Sequence, residues 1–475
     1  MSAVSDAQLE SLMTRLVPFG QEHILKFWPQ LDSARRSSLA NQIRAIDWEQ
    51  LRGLVQSDAS ETNWNDLSDR ATAPTAITID QQRDPDFRRQ AEESGNQALA
   101  NGQVAFVLTA GGQGSRLGFE HPKGMFPIGP VSNRSLFQIM LEHCLARGSK
   151  TGGCIPVYIM TSPQTDAETR EYLESNDWFG YRGEEVRIFC QGVMPAVDLK
   201  HGKVLMADKH ELVTSPDGHG GALAALDRSG SLDDMHRHGI RQVFYGQIDN
   251  PLLLICDPVL IGCHLLEESE LTSQVIRKRE ALQRVGNVVS IGGKVQIIEY
   301  SDLPEKNARA VDANGDLKLW AGSIAVHIFE LDFLQRCAKN ATSLPFHRAE
   351  KKIPAIDSVG QPLEPTENNG VKFERFIFDL MPHAEKSIVC EVDPSEGFAA
   401  VKNSPPATSE TPDWVRAAIC RLHRSWIESA GGTVDDGVLV EISPAFALDA
   451  EALKRRLPAN SRFQKNTFLQ SDSDL

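Results

Sequence analysis

Between about Val104 and Asp393, short apolar runs alternate with longer stretches of helical periodicity. VAFVLTA, PVYIMTS, VRIFCQ, QVFYGQID and SIAVHIF are separated by segments such as SLFQIMLEHCLA. Strands that alternate with helices predict an α/β domain built on a largely parallel sheet. Upstream, Leu9, Leu12, Met13 and Leu16, then Leu39, Ile43 and Ile46, recur at helical spacing, so residues 1–56 are expected to be mostly helical. Residues 57–86 turn polar, carry Pro74 and Pro85, and read as an irregular strap. Beyond residue 393, the helical PDWVRAAICRLHRSWIES, the strand-like GGTVDDGVLVEISP and a helix near DAEALKRRL predict a small α+β unit. The expected division is a mostly helical region with linker over 1–95, an α/β domain over 96–393 and a small α+β domain over 394–475.

A chain of 475 residues exceeds one ordinary compact domain, which fits this division. No stretch approaches the roughly 20 apolar residues of a membrane span. The first residues, MSAVSDAQLE, lack the basic start and apolar run of a secretory signal, and the eight cysteines show no CxxC spacing. A cytoplasmic, reducing location with free thiols is therefore expected. The formal charge of −15 disfavours nucleic acid as a partner but leaves phosphorylated small molecules open. Binding a triphosphate against such a field needs local cations, which directs attention to lysines and arginines beside glycine turns.

One such turn follows the first central strand directly: AGGQGSRLGFEHPKG, residues 110–124. Gly111, Gly112 and Gly114 are expected to let backbone N–H groups approach phosphate oxygens, and Arg116 and Lys123 add two cations nearby. A planar guanidinium and a compact ammonium together suit a phosphoryl centre whose charge redistributes during transfer. The dinucleotide fingerprint needs glycine at the sixth position from Gly112, where Leu117 stands, and the P-loop needs Gly-Lys followed by Ser or Thr, which the run lacks.

The run resembles the signature of the eukaryotic-type UDP-sugar pyrophosphorylases, most closely the UDP-N-acetylglucosamine pyrophosphorylases, with Ser115 where threonine is usual. The likeness continues through MTSPQT (160–165), FCQGVMPAV (189–197), SPDGHGG (215–221), QIDNPLL (247–253), VQIIEYSDL, LPFHRAEKKIP and NGVKFERFIFDL, so it covers most of the chain from about residue 100. What it implies is a GT-A-like, Rossmann-type nucleotidyltransferase core that joins UTP to a sugar 1-phosphate and releases pyrophosphate. On that implication Gly111 and Gly112 contact the uridine end, Arg116 and Lys123 hold the phosphates, and Asp249 in QIDN ligates Mg²⁺. Gln191 and Gly218 help recognise uracil, and Lys402 in AAVKN reaches the phosphates from the carboxyl-terminal domain. Membranes and nucleic acid are not expected partners, and the oligomeric state is not legible.

On the sugar side the resemblance is uneven. Gly286 and Glu299 match positions that touch the hexose in the N-acetylglucosamine enzymes, whereas His219 and Ser323 each stand where asparagine is usual. The GHG triplet resembles instead the loop of UDP-glucose and broad-specificity UDP-sugar pyrophosphorylases. Hexose and N-acetylhexosamine 1-phosphates are both open as substrates, and a catalytically silent UDP-sugar-binding protein is the alternative from another class. An NAD-dependent oxidoreductase is disfavoured by Leu117 and the cationic pair.

Overall fold

The computed structural model describes residues 2–56, 63–340 and 343–474. Its contacts sort the chain into two compact units, each assembled from non-consecutive pieces. The first comprises Met1–Asn63, Gly192–Ala222 and Leu344–Ile377, and the second comprises Trp64–Gln191, Leu223–Ser343 and Phe378–Leu475.

In the first unit the expected helices form over Ser2–Leu16, Ser33–Ala45 and Trp48–Gln56. Asp32 starts the second by accepting the Arg35 N–H at 2.8 Å, which satisfies an amide the helix cannot. The apolar faces, including Leu12, Leu16, Trp28 and Leu39, pack with Met194, Val371 and Phe373 from the later pieces. Those pieces supply an antiparallel three-stranded sheet in the order His347–Lys351, Gly370–Glu374, Val197–Asp198.

The second unit is organised by a ten-stranded sheet. In chain order its strands are β1 (Ala76–Ile77), β2 (Val104–Thr109), β3 (Val157–Thr161), β4 (Val186–Cys190) and β5 (Gln242–Gln247). They continue with β6 (Leu271–Arg277), β7 (Asn287–Ile291), β8 (Lys294–Ile298), β9 (Ala321–Glu330) and β10 (Ser387–Glu391). The spatial order is β1-β10-β6-β9-β5-β2-β3-β4, with β7 paired to both β8 and β9. Every neighbouring pair along that path is parallel except the two made by β9, which runs antiparallel to β5 and β6. All five apolar runs read from the sequence are strands, and every residue of β2 is buried, as a central strand covered on both faces requires. SLFQIMLEHCLA is helical within Leu136–Thr151, capped by the Ser135 hydroxyl accepting the Gln138 N–H.

The helices Pro85–Ala100 and Pro258–Leu266 pack backbone to backbone: a Cβ on Gly95 would lie 1.9 Å from the Pro258 carbonyl oxygen, and one on Gly262 1.8 Å from that of Ala91. Carboxyl-terminal to the sheet, the helix Pro412–Ser429 and the strands Thr433–Val434 and Val440–Ile442 form as expected, over a separate apolar cluster from Ile427 to Leu469.

The strap is more ordered than its composition predicts, although residues 57–62 of it lie outside the described residues. It holds helices at Trp64–Arg70 and Ile79–Arg83 and the edge strand β1. Thr78 and Gln81 form a reciprocal capping box, and β1 pairs in parallel with Val389 and Cys390 of β10, so local caps and one tertiary ladder supply the order that hydrophobic periodicity does not. All eight cysteines are free, five of them buried, and among the described residues no helix is long and apolar enough to cross a membrane.

Candidate active site

The order β4-β3-β2-β5 reverses direction at β2: the chain moves outward through β3 and β4, then returns to the other side of β2 as β5. Open α/β sheets bind ligands beyond the carboxyl ends of strands at such a point. Two of the predicted segments leave the sheet there, the glycine loop after β2 and Ile248–Asp249–Asn250 after β5, tied by the Ile248 N–H donating to the Thr109 carbonyl at 3.1 Å.

The glycine loop doubles back on itself. Gly114 N–H donates to the His121 carbonyl at 2.9 Å and Lys123 N–H to that of Gly112 at 3.0 Å, while Gly118, at φ 71°, closes the short turn bearing Arg116. Because its N–H is taken within the loop, Gly114 departs from the expectation that all three glycines aim donors at phosphate. Its lack of a side chain answers a packing need instead, since a Cβ there would lie 2.7 Å from the Phe119 carbonyl oxygen. Gly111 is constrained differently: a Cβ would come within 2.6 Å of Gln191 Nε2, which brings these two predicted residues into contact. Only open space meets a Cβ at Gly112. Gly124 abuts the Phe137 ring, where a Cβ would clash at 2.2 Å, and this fixes the turn that carries Lys123.

Lys123 Nζ lies 4.0 Å from Asp249 Oδ2 and donates to the Val401 carbonyl at 3.3 Å. Burial pulls its pKa below the usual lysine range; the Asp249 carboxylate opposes that shift, while Arg116 and Lys402 add to it. Three predicted residues, Arg116, Asp249 and Lys402, thus act electrostatically on a fourth, Lys123. Val401 N–H donates to the Asp249 carbonyl at 2.8 Å, so the residue before Lys402 is fastened to the end of β5. Lys402 itself pairs with Glu410 at 3.4 Å.

Two contributors were not singled out by the sequence. Buried Asn250 holds the segment leading to Lys402, donating to the Gly397 carbonyl and accepting the Ala399 N–H, each at 2.9 Å. Glu410 is the other. Adjacency to Asp249 was the only hint for Asn250, and a lone glutamate in a polar run offers none.

A second group gathers where β7, β8 and β9 meet. Asn287 faces Ile298 on one side and Gly322 on the other. One residue earlier, a Cβ on Gly286 would lie 3.1 Å from Glu299 Oε1 and 3.7 Å from Ser323 Cβ, and Ser323 N–H donates to the Gly286 carbonyl at 2.8 Å. The three sugar-side predictions Gly286, Glu299 and Ser323 therefore form one cross-strand row. β9 runs antiparallel to β5, so its first residues lie at the same end of the sheet as Asp249. Beside the row, buried Lys278 donates to Asn287 Oδ1 at 2.5 Å, and burial lowers its ammonium pKa to about 8.

Gly218 and His219 belong to the first unit. Gly218, at φ 82°, has no room for a Cβ, which would lie 2.4 Å from the Arg375 carbonyl oxygen. His219 Nδ1 accepts the Ile377 N–H at 3.2 Å, which leaves the proton of the neutral ring on Nε2. Burial, with the nearby His347 adding to it, lowers its pKa to about 4, so the ring is neutral at physiological pH.

Asp249 offers one carboxylate beside the glycine loop, and among the described residues no cluster of three or more His, Cys, Asp or Glu side chains could hold a metal ion. That donor set fits Mg²⁺, which binds through one or two carboxylates and completes its shell with substrate phosphates and water.

Residues 50–443 match the model of the family described as UTP–glucose-1-phosphate uridylyltransferase. The UDP-N-acetylglucosamine pyrophosphorylase of Saccharomyces cerevisiae is 40% identical over 370 residues, 76% of this chain and 77% of the relative. The UDP-N-acetylglucosamine diphosphorylase 1 of Arabidopsis thaliana is 33% identical over 464 residues, 94% of this chain and 90% of the relative. Among solved structures, the UDP-N-acetylglucosamine pyrophosphorylase of Trypanosoma brucei, determined with an inhibitor, superposes with a TM-score of 0.82 at 28% identity, over 96% of this chain and 98% of that one.

Proposed function

The chain belongs to the UTP–glucose-1-phosphate uridylyltransferase family, and from that premise we propose that it makes a UDP-sugar from UTP and a hexose or N-acetylhexosamine 1-phosphate with Mg²⁺ as its cation. That it is a uridylyltransferase follows from the family and its relatives. The residue roles, the metal and the sugar are our reading. A reducing compartment such as the cytosol is consistent with the eight free thiols. The division into 1–95, 96–393 and 394–475 stands as a proposal, supported at its end by the separate apolar cluster.

The observation that carries the reading is the approach of Lys123 to Asp249 at the switch point, with Arg116 close enough to act on the Lys123 charge. A sugar 1-phosphate oxygen is already anionic at neutral pH, so its in-line attack on the α-phosphorus of UTP needs positioning and charge neutralisation rather than a general base. Gly112 gives the nucleotide a side-chain-free approach, and Gln191 offers an amide for the uracil edge. Lys123, Arg116 and Lys402 offset charge on the α-phosphate and the departing pyrophosphate. Asp249 would hold Mg²⁺, which supplies Lewis-acid neutralisation at phosphate oxygens. Gly286, Glu299 and Ser323 would receive the hexose, and the resemblance assigns Gly218 to uracil and His219 to the sugar.

Measuring pyrophosphate released from UTP with glucose, galactose and their N-acetylated amino forms as 1-phosphates tests this reading. Release with at least one of these sugars supports it, and none with any of them removes it.

A further inference from the structure

Lys402 and Glu410 are fastened together twice. The Glu410 carbonyl accepts both the Lys402 N–H at 2.8 Å and the Asn403 N–H at 3.0 Å, and Asn403 Nδ2 donates to the Ser409 carbonyl at 3.2 Å. These contacts align the two segments without any help from the glutamate side chain. That side chain makes the second link, with Oε1 at 3.4 Å from Lys402 Nζ and the two side chains 31% and 36% exposed. Glu410 sits at φ 57°, a conformation that glycine or asparagine adopts more readily. The adjoining backbone hydrogen bonds and the helix that Thr411 caps hold it there. On the other flank, Val401 is bonded to both Asp249 and Lys123. Glu410 and Lys402 also act with opposite sign on the Lys123 charge, so both belong to the phosphate-side cluster.

We propose that Glu410 is a positioning residue that competes with the nucleotide phosphates for the Lys402 ammonium and thereby limits how tightly UTP is held. The proposal rests on the reading that Lys402 meets those phosphates. A lysine ammonium is a point charge with three donors, and it can exchange a carboxylate for phosphate oxygens without moving its backbone. Because that backbone is pinned next to Asp249 and Lys123, the exchange needs only side-chain rotation. Glu410 then orients Lys402 when phosphate is absent and must be displaced when phosphate arrives. Displacement weakens ground-state binding and eases release of the pyrophosphate product.

The test is a comparison of UTP affinity, at one fixed Mg²⁺ concentration, among wild type, Glu410→Gln, Lys402→Ala and the double variant. Removing a partly exposed partner charge should tighten UTP binding about two- to fivefold in Glu410→Gln, and by much less when Lys402 is already alanine. Glu410→Asn, which discharges the site and suits the left-handed backbone, should reproduce the gain, and a melting curve verifies that each variant is folded. Unchanged or weaker binding in folded Glu410→Gln overturns the proposal. So does an equal gain in the Lys402→Ala background, which would reduce Glu410 to a general contribution to the field. Wild type that fails to bind UTP would sink the substrate assignment, and the proposal with it.

Discussion

The Lys123 ammonium stands 4.0 Å from the Asp249 carboxylate, with side chains only 12% and 15% exposed. The separation is long for a hydrogen-bonded pair, so each group keeps the capacity to take another partner. On the proposed reading, in which the pair meets a triphosphate and its metal, that looseness is useful.

If Lys123 and Arg116 offset charge that develops during transfer, Lys123→Ala and Arg116→Ala should each lower kcat/KM by about 10²–10³ while the melting temperature stays near wild type. Arg116 is exposed, whereas Lys123 is largely buried beside Asp249 and bonded to Val401, so the melting curve is what separates lost charge from lost fold in the Lys123 variant. Activity within about twofold of wild type, against that expected loss, removes the residue from the mechanism.

Asp249 yields a metal titration. Activity should vanish with chelator, return with Mg²⁺, and need far more Mg²⁺ in Asp249→Asn, because an amide oxygen is a weaker ligand for a hard cation than a carboxylate. Superimposable Mg²⁺ titrations for wild type and variant would make the carboxylate structural.

Stability should fall on mild acidification. His264 is buried between Thr272 Oγ1 and Gln242 Oε1, each at 2.8 Å, and burial lowers its pKa to about 3; the same cause takes His143 to about 3 and His423 to about 4. Each binds its proton more weakly folded than unfolded, so between the unfolded value near 6.5 and the folded one the unfolded chain holds more protons. Stability therefore rises with pH across that window and drops as pH falls through it, by up to about 1.4 kcal/mol per pH unit per histidine. Thermal unfolding at pH 7, 6 and 5 reads the slope, and His264→Gln should flatten it even if it lowers stability at pH 7. An unaltered slope in that variant would take His264 out of the account.

How far the chain could be read in advance follows from where each signal resides. The central strands were legible because five- and six-residue apolar runs are local, and the loop of residues 110–124 because glycines and cations lie within fifteen positions. The reversed direction of β9 was not, since strand polarity depends on the path between strands and not on the composition of SIAVHIF. The cap at Thr78 and Gln81 was present in the sequence as a T-x-x-Q spacing, yet β1 is only two residues long and shows no period. Asn250 acts through the backbone of Gly397 and Ala399, far along the chain, and the Glu410 side chain meets Lys402 across a turn; no pattern of residue types announces such contacts.

The expectation about the sugar follows from His219 and Ser323, each of which stands where the resemblance would place asparagine. An asparagine offers a donor pair and an acceptor, enough for an acetamido group as well as hydroxyls. His219 offers less. Its Nδ1 accepts the Ile377 N–H, and its depressed pKa keeps the ring neutral, so the ring has no second acceptor nitrogen. Ser323 is held in the row with Gly286 and Glu299, and its Oγ accepts the Ala325 N–H at 3.3 Å, leaving its own O–H as a donor. Neither position therefore presents the carbonyl acceptor and the amide donor pair that an asparagine combines, whereas the hydroxyls of an unmodified hexose can both donate and accept. The expected outcome is that glucose 1-phosphate is used at least as well as N-acetylglucosamine 1-phosphate. The double variant His219→Asn, Ser323→Asn should shift the kcat/KM ratio toward the N-acetylated sugar by about one to two decades, the cost of about 1–3 kcal/mol for a buried group left unpaired. A wild-type preference for the N-acetylated sugar of an order of magnitude, or a ratio unmoved in the double variant, rejects the assignment of specificity to these two residues.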